Sequence, residues 1–280
     1  MFEHEFKNKV VVVTGGSGVL CSYFCKELAK RGAKVCILSL DEKRLADLEA
    51  EIRADGGEAT SFLCNVLDKE VVKNVHKQIL DKYGKVDILI NGAGGNNPKA
   101  TTNDEFYDLA NADLPNKKDF FDLDLDGINF VFGLNFSGTL IPTQEFAPDM
   151  VGREGTTILN ISSMNAFTPL TKIPAYSAAK AAVSNFTKWL ATYFSKVGIR
   201  VNAIAPGFFS TAQNKALLWN EDGSPTARTK KILNNTPMGR FGEPEELVGA
   251  VLWLLDSKAS SFVTGVVLPI DGGFSAYSGV

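Results

Sequence analysis

Short, fully apolar runs alternate with amphipathic segments along this chain, and that alternation restricts its fold more than any other feature. Val10 to Val13 form the first run, which is followed by closely spaced glycines and by a segment with helical apolar spacing, Leu20 to Arg31. A second apolar run at 33–40 and a charged helical segment at 41–54 repeat this order. Strands that are apolar at every position are typical of parallel sheets covered by helices on both faces. The pattern predicts an α/β fold in three layers, with a doubly wound parallel sheet between helices.

The same alternation continues to the end of the chain. Further strands are predicted at 59–64, 86–90, 156–161, 200–205 and 266–270, and further helices at 69–83, 129–150, 175–197 and 244–255. Two stretches, 95–126 and 208–240, lack periodicity, and long irregular stretches inside a domain are usually functional. Because no repeat or linker divides the sequence, we expect one domain over residues 1–280.

Charge and composition exclude several classes of function. The 280 residues include 29 basic and 32 acidic side chains, so we do not expect the basic surface of a protein that binds nucleic acid or an anionic membrane. The chain has two histidines, His4 and His76, and we therefore expect neither a histidine-based metal site nor a Ser-His-Asp triad. A small molecule is the expected partner, and no metal is expected.

The cysteines and the N-terminal residues indicate the compartment. The four cysteines form no C-x-x-C pair and lie mostly in apolar surroundings, as reduced thiols do. The first residues have no apolar core of the kind a signal peptide needs. The longest strongly apolar run, Leu247 to Leu255, is much shorter than the roughly 20 residues of a membrane span. We expect a soluble, cytoplasmic protein.

The turn after the first apolar run is the first candidate binding site. Gly15, Gly16 and Gly18 would let the backbone approach a pyrophosphate, and the N-terminus of the following helix would attract that anion. Val19 and Cys21 stand where a dinucleotide fingerprint has further glycines, so an ordinary glycine-rich turn is the alternative.

The end of the second strand bears on which dinucleotide would bind. A carboxylate at this point binds the ribose 2′-hydroxyl and repels a 2′-phosphate. Ser39, Leu40 and Asp41 occupy the position, and Asp41 could either face the ribose or cap the next helix. The choice between NAD and NADP stays open, with NAD preferred.

Tyr176 and Lys180 lie four residues apart and therefore project from one face of a helix. A nearby ammonium favours the phenolate and lowers the pKa of a tyrosine, which makes its hydroxyl a usable acid or base. Ser163 and the run Asn91 to Gly94 both follow apolar strands, and ligands of such sheets bind beyond the carboxyl ends of strands. A cap of an irregular turn is the alternative for Ser163, and a bend in a helix is the alternative for Asn135.

Taken in order, these motifs resemble the short-chain dehydrogenase/reductase family over nearly the whole chain. The matching segments are Thr14-Gly15 with Gly18, Asn91 to Gly94, Asn135, N-I-S-S ending at Ser163, Tyr176 with Lys180, Pro206-Gly207 with Thr211, Pro237 to Glu246, and Asp271 to Gly273. The resemblance implies a Rossmann fold, NAD or NADP as cofactor, and hydride transfer between nicotinamide and a carbonyl carbon. Because many relatives are tetramers, it also implies a homotetramer.

The resemblance assigns four catalytic residues. Tyr176 is the implied acid/base, and Ser163 binds the reacting carbonyl oxygen. Lys180 binds the nicotinamide ribose and depresses the Tyr176 pKa, while Asn135 holds a water that relays protons to Lys180. The implied cofactor-binding residues are Gly15, Ser17, Gly18, Val19, Leu20, Ser39, Asn65, Val66, Asn91, Gly92, Ala93, Tyr176, Lys180, Pro206, Gly207 and Thr211.

Three runs, G-G-S-G-V-L-C, N-G-A-G-G-N-N-P-K-A-T and S-S-M-N-A-F, resemble the D-mannonate oxidoreductase (fructuronate reductase) subgroup. This resemblance implies the interconversion of D-fructuronate and D-mannonate. The alternatives are a reductase of another keto sugar or polyol, similar to gluconate 5-dehydrogenase, and a non-catalytic nucleotide-binding protein of the same fold.

A sugar acid carries a carboxylate and several hydroxyls, and its predicted ligands are polar residues in the two irregular stretches and after Ser163. They are Asn96, Asn97, Lys99 and Asn165, together with Arg228 on a substrate lid at 208–240. For Lys99 and Arg228, a solvated surface charge is the alternative.

Overall fold

A sheet of seven parallel strands lies at the centre of the computed structural model, which describes residues 6–110, 114–211 and 218–279. The strands are β1 (Val10–Thr14), β2 (Lys34–Ser39), β3 (Glu58–Leu63), β4 (Ile88–Asn91), β5 (Thr157–Ile161), β6 (Arg200–Pro206) and β7 (Val267–Ile270). Their order in the sheet is β3-β2-β1-β4-β5-β6-β7. The direction in which strands are added reverses between β1 and β4, and ligands of such sheets bind at the carboxyl ends beside that point.

Helices cover both faces of the sheet. They are α1 (Cys21–Lys30), α2 (Glu42–Ala54), α3 (Lys69–Tyr83), α4 (Leu125–Phe132), α5 (Gly138–Phe146), α6 (Pro174–Phe194), α7 (Ala227–Asn234) and α8 (Val248–Leu255). One apolar core contains side chains of α1, α2 and α8, and the other contains side chains of α3, α5 and α6. Val11 and Val13 of β1 belong to the first core, whereas Val10 and Val12 belong to the second. The predicted doubly wound, three-layer Rossmann fold is confirmed.

Polar caps fix where the first helices begin. The Asp41 carboxylate accepts a hydrogen bond from the backbone N–H of Arg44 (3.0 Å) at the start of α2. Asp68 does the same for α3, accepting from the N–H groups of Glu70 and Val71. Such caps satisfy backbone donors that have no partner within the helix, which is why these starts could be predicted from the sequence.

The helix predicted at 129–150 is interrupted, so the prediction of one continuous helix is wrong. α4 ends at Phe132, a π-helical turn occupies Gly133–Ser137, and α5 begins at Gly138. Nδ2 of Asn135, inside this turn, donates to the backbone carbonyl of Val131 (2.7 Å). Single π turns of this kind often mark functional sites.

The two irregular stretches meet in space. The stretch at 95–126 consists mainly of turns around a 3₁₀ turn at Pro98–Ala100, and residues 111–113 lie outside the described residues. The stretch at 208–240 contains α7, which the sequence analysis did not predict, and residues 212–217 also lie outside the described residues. Lys231 Nζ on α7 lies 2.8 Å from Glu105 Oε1, so an ion pair joins the two stretches.

None of the helices in the described part of the chain combines the length and the apolarity needed to cross a membrane. None of the His, Cys, Asp and Glu side chains in this part form a group of three or more that could hold a metal ion.

Candidate active site

The carboxyl ends of β1, β4 and β5 bring the predicted motifs to one edge of the sheet. Thr14 is the last residue of β1 and pairs with Asn91, the last residue of β4. Thr14 Oγ1 accepts hydrogen bonds from the backbone N–H groups of Gly92 (3.1 Å) and Ala93 (3.3 Å). The glycine-rich turn and the N-G-A-G turn are therefore in direct contact at the reversal point of the sheet.

Glycine is required at two positions of this contact. Gly15 has a φ of +62°, and a Cβ at that position would lie 2.9 Å from backbone atoms of Ala93. A Cβ at Gly92 would overlap Sγ of Cys21. The two turns approach so closely because neither residue has a side chain.

The start of α1 is suited to an anion. The cap residue Leu20 makes no side-chain hydrogen bond to the helix, and the first turn has no acidic residue. The first backbone N–H groups of a helix have no partner inside it, and the helix dipole adds positive potential there. Gly18, whose N–H donates to the Gly15 carbonyl (2.9 Å), brings the chain into this helix. The geometry therefore fits a phosphate group at this point.

Ser17 and Ser39 link the glycine-rich turn to the end of β2. Ser17 Oγ donates to Ser39 Oγ over 2.7 Å. The nearby Asp41 carboxylate caps α2 and also lies 3.3 Å from Arg44 Nε. Of the two roles considered for Asp41, the cap is confirmed, and Ser39 is the polar residue with which β2 ends.

The segment after β3 contains two predicted cofactor residues. Asn65 is exposed, and its Oδ1 accepts a hydrogen bond from the Leu67 N–H (3.1 Å). Val66 is buried, and its Cγ2 would lie 3.2 Å from a Cβ at Gly138. Val66 thus packs against the start of α5, while Asn65 lies at the surface.

Residues after β6 complete the predicted cofactor set. Pro206 ends β6, and the Gly207 N–H donates to the carbonyl of Ile270 (2.9 Å). Thr211 and Val19 line one cavity of about 530 Å³ beside the start of α1. Residues separated by nearly two hundred positions are therefore neighbours here.

Asn91 has a structural side chain. Its Nδ2 donates to Thr143 Oγ1 and to Asn160 Oδ1, both over 2.9 Å, and Asn160 Nδ2 in turn donates to Thr187 Oγ1. This buried network ties β4 and β5 to α5 and α6. The amide nitrogen of Asn91 is used in this network, whereas its buried Oδ1 has no hydrogen-bond partner among the described residues.

Ser163, Tyr176 and Lys180 meet where β5 ends. Ser163 is buried, caps the 3₁₀ turn at Met164–Ala166, and hydrogen-bonds to the Tyr176 hydroxyl. Lys180 Nζ donates to the Ile161 carbonyl (2.8 Å) and lies 5.6 Å from the centroid of the Tyr176 ring. The neighbouring Ser162 has another task, because its hydroxyl bonds to the Lys180 carbonyl and to Ser184.

Burial acts on both titratable groups of this cluster. Loss of solvent around the Tyr176 hydroxyl raises its pKa, and the hydrogen bond to Ser163 opposes that shift only in part. The same loss of solvent lowers the pKa of Lys180 to about 8. Desolvation is the largest effect on each group and favours its neutral form, and the depression of the Tyr176 pKa by Lys180 stays a prediction.

Asn135 holds the backbone beside this cluster. Its Nδ2 donates to the Gly95 carbonyl (2.7 Å), and its Oδ1 accepts from the Gly95 N–H (3.2 Å). A Cβ at Gly94 would lie 2.8 Å from Asn135 Oδ1 and 3.1 Å from Lys180 Nζ. The amide side chain thus fixes the segment after β4 against Lys180, and its role in holding a water stays a prediction.

The predicted substrate residues are divided between two places. Asn96 Nδ2 donates to Thr101 Oγ1, Asn97 caps the turn at Pro98–Ala100, and Lys99 Nζ lies 3.7 Å from Asp124 Oδ2. These contacts hold the 95–126 stretch together, and a substrate role for the three residues stays a prediction.

The other two predicted substrate residues lie elsewhere. Asn165 is buried next to Ser163, and its Oδ1 has no hydrogen-bond partner among the described residues. Arg228 lines a cavity of about 510 Å³ between the segment after Ser163 and α7.

Sequence reasoning missed three charged residues of this cavity. Lys172, Lys231 and Glu105 line it together with Arg228. Lys172 lies four positions before Tyr176, and this closeness in sequence could have identified it as a residue near the site. The approach of Glu105 to Lys231 could not be found, because it depends on how two irregular stretches pack.

Comparisons with known proteins agree with this geometry. A model of the short chain dehydrogenase family matches residues 9–222. An uncharacterized oxidoreductase of Haemophilus influenzae is 59% identical over 278 residues, which cover 99% of this chain and 96% of that protein.

Two solved structures extend the comparison. A crystal structure of a proposed D-mannonate oxidoreductase from Haemophilus influenzae, with bound NAD, superposes with a TM-score of 0.95 at 59% identity and covers 100% of this chain and 99% of its own. A gluconate 5-dehydrogenase from Burkholderia cenocepacia, in complex with NADP and tartrate, has a TM-score of 0.81 at 27% identity, with 99% of each chain covered.

The fold, the assembled motifs and these matches define the class of protein: the chain belongs to the short-chain dehydrogenase/reductase family. It is accordingly an oxidoreductase that acts on CH–OH groups and the corresponding carbonyls.

Proposed function

We propose that this protein is an NAD(P)-dependent reductase of a keto sugar acid that interconverts D-fructuronate and D-mannonate. The observation that carries the proposal is the contact of Ser163, Tyr176 and Lys180 at the carboxyl end of β5, beside the glycine-rich turn. Reduction of a carbonyl needs a hydride at the carbon and a proton at the oxygen, and this cluster can supply the proton.

The residues at the sheet edge fit a dinucleotide. The uncapped start of α1 would bind the pyrophosphate through its free backbone N–H groups. β2 ends at Ser39, and the Asp41 carboxylate two residues further on is held at the cap of α2 beside the Arg44 guanidinium. NAD and NADP are therefore both compatible, and the NAD-bound structure at 59% identity favours NAD.

The chain's own residues would move the proton and hold the substrate. When bound, the nicotinamide supplies or accepts the hydride at the carbonyl carbon. Ser163 would donate a hydrogen bond to the carbonyl oxygen, where negative charge develops during reduction. Tyr176, whose pKa is raised by burial, is a neutral phenol at neutral pH and would donate its proton to that oxygen. Lys180 would bind the ribose hydroxyls with the ammonium protons not used by Ile161.

Two observations support a sugar acid as the substrate. The proposed D-mannonate oxidoreductase from Haemophilus influenzae and the gluconate 5-dehydrogenase from Burkholderia cenocepacia both have sugar acids in their names. The cavity next to the Ser163–Tyr176 loop is lined by Arg228 and two lysines, which suits a carboxylate.

Two alternatives were considered. Similarity to the gluconate 5-dehydrogenase supports a related reaction on gluconate or another keto sugar or polyol. A non-catalytic nucleotide-binding protein is disfavoured, since Asn135, Ser163, Tyr176 and Lys180 are all present and assembled at one place.

A substrate panel tests the proposal. NADH and NADPH consumption would be followed with D-fructuronate, 5-ketogluconate, neutral ketoses and an apolar ketone. We expect D-fructuronate to give the highest kcat/KM and NADH to be the better cofactor. Turnover of neutral or apolar ketones alone would contradict a sugar-acid substrate, and cofactor binding without any turnover would support the non-catalytic alternative.

A further inference from the structure

One cavity between the two irregular stretches carries an excess of positive charge. Its volume is about 510 Å³, within the usual range for small-ligand sites. Among the described residues that line it are three cations, Lys172, Arg228 and Lys231, and a single carboxylate, Glu105. We call it the basic cleft.

The basic cleft adjoins the proposed catalytic residues along the chain. One wall is the segment Thr168 to Lys172, which belongs to the loop between Ser163 and Tyr176. Another is Phe208, which directly follows Gly207 at the end of β6. The basic cleft therefore borders the loop that leads from Ser163 to Tyr176.

The loop is held in a conformation that a lysine rarely adopts. Lys172 has a φ of +72°, which lies in the left-handed region that disfavours residues with a Cβ. Its backbone carbonyl accepts a hydrogen bond from the Thr102 N–H (2.9 Å), so this turn is fixed against the 95–126 stretch. Unusual backbone of this kind persists where the surrounding structure fixes it, and it clusters at ligand sites.

The chain itself supplies an anion to the basic cleft. Glu105 Oε1 lies 2.8 Å from Lys231 Nζ, and this side chain is 31% exposed. Hydrogen bonding to Lys231, together with the positive charges of Lys231 and Lys172, lowers the Glu105 pKa. Both lysines therefore act on one carboxylate, which occupies the place where their positive charges meet.

Two further acidic residues, Asp104 and Asp108, line the adjoining cavity but not the basic cleft, and Asp104 forms an ion pair with Lys117. Lys172, Arg228 and Lys231 therefore exceed Glu105 by two positive charges within the basic cleft, and one added carboxylate would be attracted there.

We propose that the basic cleft is the subsite for the substrate carboxylate, with Lys172 and Lys231 as its main ligands and Glu105 as a built-in competitor. The substrate carboxylate takes the ammonium of Lys231 from Glu105, and Arg228 adds a further donor. This assignment rests on the proposed function, because it names the part of the site that distinguishes a sugar acid from a neutral sugar.

Oxidation of D-mannonate by variants of the basic cleft tests the proposal. Lys172→Gln and Lys231→Gln are expected to lower kcat/KM about fivefold or more, mainly through a higher KM, since each removes one charged contact. Glu105→Gln is expected to lower KM, because the competing carboxylate is gone. The control is Lys230→Gln, which removes the same charge from an exposed neighbour on α7 that does not line the cleft. NAD binding, measured by fluorescence titration, should be unchanged in all four variants and would verify folding.

The outcomes separate this inference from the proposed function. If wild-type protein oxidises D-mannonate but Lys172→Gln and Lys231→Gln change KM no more than Lys230→Gln does, the carboxylate lies elsewhere and only this inference fails. A higher KM in Glu105→Gln would also overturn it, since Glu105 would then assist binding. If wild-type protein oxidises no sugar acid while oxidising other alcohols, the proposed function fails and the subsite fails with it.

Discussion

Burial shifts the pKa values of both Tyr176 and Lys180. Burial raises the pKa of the phenol and lowers that of the ammonium to about 8, so it favours the uncharged form of both. Their spacing could be predicted from the sequence, because residues four apart share a helix face. The direction of the Tyr176 shift could not, because it depends on how much solvent the folded chain removes from around the hydroxyl.

The pH dependence of carbonyl reduction should follow Lys180. Below its pKa of about 8 the side chain is charged and stabilises the tyrosinate that forms on proton donation; above it, this support is lost. We expect kcat/KM for reduction to be constant below neutral pH and to fall as the pH rises through about 8. In Lys180→Arg the guanidinium stays charged, so the fall should move to higher pH even if the overall rate is lower. The same fall near pH 8 in both enzymes would assign it to another group.

Ser163 and its neighbour Ser162 are expected to differ in their importance for activity. Ser163→Ala removes the proposed donor to the carbonyl oxygen and should lower kcat by about 100-fold or more; because its hydroxyl also caps the turn at Met164–Ala166, about 1 kcal/mol of stability should be lost as well. Ser162→Ala removes buried hydrogen bonds to Ser184 and the Lys180 carbonyl, and should cost about 1 kcal/mol of stability while retaining most activity. Steady-state kinetics and urea unfolding of both variants test this, and equal loss of activity in the two would remove the distinction.

Helix α3 is attached to α5 and the turn after it through a buried histidine. His76 Nδ1 lies 2.8 Å from Glu145 Oε1, and Nε2 lies 3.0 Å from Asp149 Oδ2. Asp149 Oδ2 also accepts from the Val86 N–H (3.0 Å), so the contact reaches the segment before β4. From the sequence, no metal or triad role is expected of His76; its two carboxylate partners are distant in sequence and could not be foreseen.

Loss of this histidine should destabilise the fold. His76→Gln removes the ring that contacts the carboxylates of Glu145 and the buried Asp149, and we expect a loss of about 2 kcal/mol in the free energy of unfolding. Lys77→Gln, at the exposed neighbouring position of α3, is the control and should change stability by less than about 0.5 kcal/mol. Urea unfolding followed by circular dichroism would measure both, and equal midpoints would show that the contact contributes nothing.

The helices and strands were predictable to the extent that local signals define them. α3 begins and ends at the predicted residues because Asp68 caps it and Gly84, at a φ of +84°, ends it. The π turn around Asn135 was not predictable, since it forms through a hydrogen bond to Gly95, forty residues away. α7 is a short helix whose buried residues, Thr229 and Ile232, are too few to give a visible periodicity.

On the surface of the molecule, exposed aromatic side chains indicate where the subunits of the predicted homotetramer would meet. Trp189 and Tyr193 on α6 stack with centroids 4.7 Å apart, yet they are 54% and 65% exposed. Phe130 on α4 is 47% exposed. Exposed aromatic patches are typical of protein interaction sites, so α4 and α6 are the expected contact surfaces between subunits.

Light scattering coupled to gel filtration tests the oligomer. We expect a mass four times the 30.3 kDa of the chain. Tyr193→Lys should lower that mass, whereas Leu63→Lys, an exposed apolar residue on the outermost strand β3, should leave it unchanged. A monomeric wild-type protein would contradict the prediction.

The assignment of Tyr176 as the proton donor is the central claim, and one variant tests it directly. Tyr176→Phe retains the ring that packs against α4 but removes the hydroxyl. NADH oxidation with D-fructuronate would be compared between this variant and wild-type protein, with NADH binding measured on both. The expected result is a loss of kcat of about 100-fold or more with unchanged NADH affinity. A variant that retains most of the wild-type rate would show that the proton comes from another group and would contradict the mechanism.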